Sequence, residues 1–271
     1  MKNTKNPMLL IIGAIIAFFH FIPLYILSIV AFKTPSDLSS RWLPPKYLTF
    51  KNFRLVLEDG NVIKALMNTT FITLCSIILV IIIASMASYP LSRIQNRTSM
   101  ILVNIVLAVM MIPSLSVIVP LYGIMMKINA INTYWGIILV LVTYNLPMSI
   151  FLFTNFIKSI PIELDEAAAI DGCNPVKTFY SIIMPQLLPV TASVTILSGI
   201  KIWNDYRFAL YFLQKPKYET LTLFISKYFS DFASNLNAAA AAALMAILPV
   251  ILVFLFLQKY FVSGVSDGAI K

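Results

Sequence analysis

Eleven Asp and Glu residues serve a chain of 271, and four of them, Glu163, Asp165, Glu166 and Asp171, crowd into one stretch around an alanine triplet. Carboxylates at that density could hold a metal, relay a proton or meet a positive partner. The rest of the sequence narrows the choice. The two cysteines, Cys75 and Cys173, lie far apart and the single histidine is His20, so no His/Cys/Glu cluster offers a metal centre. No serine motif has a histidine to activate it. The phosphate-cradling pattern GxxxxGK[ST] is absent, so the chain carries no nucleotide-hydrolysing loop of its own. The chain is therefore expected to be no enzyme, with no metal and no cofactor of its own. A second polar group, Lys201 with Trp203, Asn204 and Asp205, ends a long apolar run. Lys201 and Asp205 stand four apart, a spacing that suits either a structural ion pair or the lining of a polar path. In the path reading, Trp203 supplies an aromatic face for a sugar ring and Asn204 an amide for its hydroxyls.

What remains for the acidic stretch is electrostatics and shape. Pro161 suits a first helical turn, and Glu163, Asp165 and Glu166 put negative charge where a helix dipole is positive. Leu164, Ala167, Ala168 and Asp171 follow i, i+3, i+4, i+7 spacing and define a small, apolar face. Gly172 suits a left-handed helix end, and Asn174–Pro175 a fresh cap and first turn. A second helix is expected through Phe179 to Met184, ending at Pro185. Two uses fit this helix–turn–helix: a connector lying on lipid, or a knob seated in another protein's groove. Lipid-lying helices are usually basic on their polar face, and this one is acidic.

The elements that hold these groups are apolar. Hydrophobic residues make up 59% of the chain and charged ones 11%, against roughly 25% charged in soluble domains. Six runs approach the ~20 residues that cross a bilayer as helix: about 8–32, 69–91, 100–126, 134–157, 187–202 and 238–261. The ~10-residue alternation of a membrane barrel is missing. The sequence predicts an all-α polytopic membrane protein. Prolines fall inside four of the runs (Pro23; Pro113 and Pro120; Pro147; Pro249) and are expected to bend helices, for packing or around a cavity. Ala238–Ala243 would let helix backbones approach closely. The start, MKNTKNPMLL, has a basic flank like a signal peptide, but the run behind it is too long and lacks a small-x-small cleavage site, so it reads as a retained first helix. The net charge of +9 lies in loops beside lipid head groups, without the interleaved aromatics of a nucleic-acid surface. Six spans put both termini on one side. With those termini inside, eight Lys and Arg fall in cytoplasmic segments and eleven outside, Lys201 apart, so charge does not orient the chain.

Glu166-Ala167-Ala168, three residues, Gly172, nine residues, then Ile182-x-Met184-Pro185 resembles the EAA signature of bacterial ABC-importer permeases, with Met184 where leucine is usual. Asp171, Phe179 and Pro189, with the stretches MIPSLSVIVPLYGIM, NTYWGIILV, KIWNDYRFAL and LPVILVFLFLQKYFVSGVSDGAIK, make the chain similar to the carbohydrate-uptake, maltose-type branch. The resemblance implies a type I importer permease fold. It implies one transmembrane domain over 1–271, a core at about 65–260 and a cytoplasmic coupling loop at 158–186. Glu166, Ala167, Ala168, Asp171, Gly172, Ile182 and Pro185 would meet an ATP-binding subunit there. The implied partners are a homologous second permease, two ATP-binding subunits that hold ATP and Mg, and an extracellular or periplasmic sugar-binding protein, in the bacterial inner membrane with both termini cytoplasmic. Nucleic acid is not among them. Loops 33–66 and 206–237 would touch the binding protein, and the tail SGVSDGAIK, flexible by composition, would reach towards the ATPase pair. Permeases for amino acids, peptides or polyol phosphates share the loop and stay open as alternatives. So does an ion-coupled transporter, although no predicted span carries an acidic residue away from its ends.

Overall fold

A computed structural model describes residues 7–58, 60–94, 96–230 and 235–269, with side chains as far as residue 258. The described residues hold helices and no strand, as a solvent without water demands: an unpaired backbone N–H or C=O in hydrocarbon costs several kcal/mol, roughly. In chain order the helices are α1 Pro7–Phe32, α2 Lys51–Glu58, α3 Asn61–Arg93, α4 Arg97–Val109, α5 Ile118–Lys127 and α6 Tyr134–Ser159. They continue as α7 Glu163–Ile170, α8 Pro175–Thr178, α9 Met184–Gln186, α10 Leu188–Trp203, α11 Arg207–Phe212, α12 Leu221–Ser230 and α13 Leu236–Ala269. Four of these, α1, α3, α6 and α13, are long and apolar enough to span by themselves, and two bent pairs bring the number to six.

The bent pairs correct the expected spans. The third is not one helix over 100–126: α4 gives way to a 3₁₀ turn at Ser114–Val117 and then α5, with a bend of 91°. Pro113 sits at the corner in extended geometry, where it has no N–H to pass the ladder on. The fifth is also broken. The segment Pro175–Gln186 meets α10 at 74°, and Pro189 has no N–H to carry the ladder across the corner at Leu187. Pro185 does not end the second loop helix as expected. A π-helical turn, Phe179–Ile183, precedes it, and Pro185 falls in the first turn of α9, where a missing N–H is harmless. Pro23, Pro147 and Pro249 lie within continuous helices, as does Pro90 in α3. The tail reads as helix to Ala269, and its last two residues lie outside the described ones.

By packing, the chain divides into two units, residues 1–66 with 223–249, and 67–222 with 250–271. In the first, two asparagines finish α1. Asn52 Nδ2 donates to the carbonyls of Ala31 and Lys33 at 2.7 Å each, and Asn237 Nδ2 to those of Val30 and Lys33 at 2.8 and 3.1 Å. Ala238–Ala242 are buried, so the small-residue run packs closely.

In the second unit α6 is the hub, in contact with α4, α10 and α11. Ser88 on α3 donates to the Ile150 carbonyl, and the hydroxyls of Ser149 and Ser198 lie 3.3 Å apart between α6 and α10. At the opposite end of α3, Asn68 Nδ2 donates to the carbonyls of Lys217 and Glu219 while its Oδ1 accepts from Tyr134. The start of α6 needs glycine. A Cβ on Gly136 would stand 2.1 Å from the Ala130 carbonyl oxygen, inside the turn that Asn129 and Asn132 close at positive φ. Gly136→Ala is expected to destabilise the chain by about 2–3 kcal/mol, whereas Gly123→Ala, with open space around it, should not. Thermal unfolding of the purified protein in detergent compares the two.

Candidate functional site

The acidic stretch folds as a helical hairpin between α6 and α10. Three carboxylates, Glu163, Asp165 and Glu166, occupy the first turn of α7, and Pro161 precedes the helix rather than opening it. At the other end Cys173 N–H donates to Ala168 and Gly172 N–H to Ala169. These are the paired bonds of a Schellman turn, with Gly172 at φ +76° as its left-handed residue. Asn174 then caps the second limb, its Oδ1 accepting from Lys177 N–H at 2.8 Å, with Pro175 in the first turn.

The face of α7 that looks away from the chain is not the one its spacing suggested. Ala168 is 1% exposed and Leu164 half-buried, so these turn inward. The outward stripe is Glu163, Glu166, Ala167 and Ile170, the same i, i+3, i+4, i+7 pattern one position earlier. Ile170, 87% exposed, stands at its end beside Asp171 and Gly172, with Val176 exposed on the second limb. Ile182 is half-buried and Pro185 exposed on that limb. A hydrophobic tip ringed by carboxylates is what the hairpin presents.

Asp165 goes the other way. Its Oδ2 lies 2.7 Å from Arg93 Nη2 at the end of α3, with both side chains largely enclosed, and its Oδ1 accepts from Tyr89 OH at 2.5 Å. Neither Tyr89 nor Arg93 was singled out in the sequence. Their spacing of four on one helix face, ending a span, was the only available signal.

The second candidate group divides. Lys201, Asn204 and Asp205 line a cavity of about 830 Å³, while Trp203 lines a separate small one. Lys201 and Asp205 form no ion pair, which removes the structural-bridge reading. Asp205 Oδ1 instead accepts from the Ala209 N–H and steadies α11. Burial pushes its carboxyl above the ordinary range, against the pull of that N–H and of Arg207. Sequence reasoning missed the other polar residues of the large cavity: Tyr144 and Asn145 on α6, and Arg207, whose Nη1 donates to Ser114 Oγ at 2.6 Å. They come together only because Pro113 breaks the third span.

With this geometry in hand, the comparisons with known proteins are decisive. Residues 76–267 match the family described as the binding-protein-dependent transport system inner membrane component. The chain belongs to that family. It is 42% identical to the melibiose/raffinose/stachyose import permease protein MelC of Bacillus subtilis (strain 168), covering 99% of this chain and 98% of that one. It is 32% identical to the probable starch degradation products transport system permease protein AmyC of Thermoanaerobacterium thermosulfurigenes, over 99% and 98%. Among solved structures, it is similar to a bacterial ABC transporter involved in the import of the acidic polysaccharide alginate. The TM-score is 0.82 at 22% identity, with 96% of this chain and 99% of that one covered, and this likeness shows the fold. A family member of this kind is a membrane transport permease and not an enzyme.

The Schellman turn sets the hairpin angle. A Cβ on Gly172 would meet nothing within 4 Å, so the cost of Gly172→Ala is backbone strain alone, about 1–2 kcal/mol. Gly172→Asn should cost less, because asparagine tolerates that conformation. Amide exchange at Cys173, whose N–H closes the turn, should quicken in the order Gly, Asn, Ala.

Proposed function

We propose that the chain is the permease subunit of an ATP-driven ABC importer for an oligosaccharide. It would work in the bacterial inner membrane beside a homologous second permease, two ATP-binding subunits and an extracellular sugar-binding protein. ATP and Mg belong to the ATP-binding subunits in this reading. The observation that carries it is the outward stripe of α7: acidic residues and a bare isoleucine on a helix fixed by a Schellman turn, at the EAA spacing. An exposed apolar tip within an acidic rim has the chemistry of an interface core and its polar edge. Coupling residues in this reading are Glu166, Ala167, Ile170, Asp171 and Gly172, with Ile182 and Pro185 holding the second limb and Ala168 the packing beneath. The hairpin then lies in the cytoplasm, and so do both termini.

Identity of 42% to a permease named for melibiose, raffinose and stachyose supports oligosaccharide as cargo. The large cavity supports a polar route through the second unit: Tyr144, Asn145, Lys201, Asn204 and Arg207 offer hydroxyl, amide and cationic donors, with Asp205 as an acceptor. Such groups replace the water that sugar hydroxyls leave behind.

Two experiments bear on the reading. Ile170→Asp and Glu166→Lys should each cut co-purification of the ATP-binding subunit and sugar uptake by about tenfold or more, roughly 1.4 kcal/mol at the interface, while membrane insertion is unchanged. Full co-purification and full uptake in both variants would remove the coupling assignment. For the route, Asn145→Leu and Asn204→Leu should lower raffinose uptake several-fold without loss of sugar-stimulated ATPase assembly. Transport of amino acids in preference to raffinose by the wild-type complex would redirect the substrate class.

A further inference from the structure

The hairpin has an inward anchor as well as an outward tip, and nothing in the coupling assignment uses it. We propose that Tyr89, Arg93 and Asp165 form a clamp that makes the 163–186 hairpin, α3 and the end of α6 move as one body, so that these three are positioning residues for coupling. The inference rests on the reading of the hairpin as the ATPase-facing element.

Four contacts meet at one point. Arg93 Nη2 and Asp165 Oδ2 lie 2.7 Å apart, and their side chains are 13% and 16% exposed. The other amine of the same guanidinium, Nη1, donates to the carbonyls of Ile157 and Ile160 at 3.2 and 3.0 Å, finishing the last turn of α6. Tyr89, one turn back on α3, donates to the second carboxylate oxygen of Asp165. Its ring packs on Phe179 of the second limb with centroids 5.4 Å apart. One turn of α3 thus grips the end of α6, the first limb and the second limb together. The charges also suit their helices: the cation sits at the C-terminus of α3 and the anion in the first turn of α7, each where the local dipole favours it.

What surrounds the clamp concentrates force on it. A cavity of about 560 Å³ separates hairpin from α3, lined by Met86, Pro90, Ile162, Ala169 and Val176. The hairpin is therefore not packed flush along its length; it touches α3 chiefly through the clamp and through Tyr180, whose hydroxyl reaches Met86 sulfur at 3.5 Å. A push on Ile170 and Glu166 has little else to act through. A largely enclosed ion pair whose cation also satisfies two carbonyls costs heavily to open, so it transmits displacement and does not absorb it.

The test uses the assembled complex in proteoliposomes with its binding protein, and reads sugar moved per ATP hydrolysed. Asp165→Asn keeps the shape and the Tyr89 bond but removes the charge; Tyr89→Phe keeps the ring stack but removes the hydroxyl. A staple that merely held the loop folded would lower ATPase and uptake in proportion as complexes fell apart. The clamp predicts that ATP-binding subunits stay bound and ATPase continues, while sugar per ATP falls by about fivefold or more in Asp165→Asn and by less in Tyr89→Phe. A ratio within about twofold of wild type in both variants overturns the clamp and leaves the docking assignment standing. Should Asp165→Asn fail to assemble, Tyr89→Phe carries the same comparison. A wild-type chain that binds no ATP-binding subunit would strike the underlying reading and the clamp with it.

Discussion

A helix end in a water-free solvent leaves carbonyls that nothing outside the protein can satisfy. That constraint recurs at nearly every joint of this molecule, and the same kind of answer meets it. Asn52 and Asn237 bring amide donors to the end of α1, and Asn68 brings one to the loop carbonyls of Lys217 and Glu219. Arg93 brings its guanidinium to the end of α6. Each is a side chain recruited from far along the sequence. The donors therefore do two things: they complete the backbone's hydrogen bonding, and they fix which helices end beside which. Where Thr143, Ser149 and Thr195 bond back to carbonyls on their own helices, nothing is joined, and those positions are free to serve packing or the cavity.

Much of this was legible in advance because the bilayer writes it in a simple script. Six apolar stretches, the hairpin, the Gly172 turn and the Asn174–Pro175 cap follow from residue types whose backbone preferences are strong and local. The breaks were harder. Pro113 and Pro189 look like Pro23 and Pro249 in sequence, yet the first pair stand at corners and the second lie within continuous helices. The difference is whether neighbouring groups re-satisfy the freed carbonyls, which is a tertiary fact. The facing of α7 was misjudged by one position for the same reason. Leu164–Ala167–Ala168–Asp171 and Glu163–Glu166–Ala167–Ile170 are equally periodic, and Asp165 decides between them by finding Arg93 some seventy residues upstream. Local pattern sets the helix; a distant cation sets its rotation.

That rotation gives the hairpin its two characters. Alanine at 168 lets the helix sit close to the chain, while the adjacent carboxylates divide, Asp165 inward and Glu166 outward. Adjacent acidic residues with opposite environments explain why the density of charge in this stretch is so much higher than elsewhere: one carboxylate is needed for the fold, and the others are left for whatever approaches. The cavity lined by Lys201, Asn204, Asp205 and Arg207 has a similar economy, since Asp205 both caps α11 and faces open space.

The π-helical turn at Phe179–Ile183 deserves a last thought about phase. Its i→i+5 bond from Met184 N–H to the Phe179 carbonyl accommodates one residue more than a regular turn would. One residue corresponds to about 100° of azimuth along a helix. Deleting a single amino acid there would not simply shorten the segment. It would wind the segment into ordinary α-helix and swing everything downstream by that angle, turning Ser198 away from Ser149 and carrying Asn204 off the cavity wall. A surplus residue in the second limb is thus a timing mark: it keeps the polar stripe of α10 in step with α6, and so ties the sequence length of the hairpin to the chemistry of a wall far beyond it.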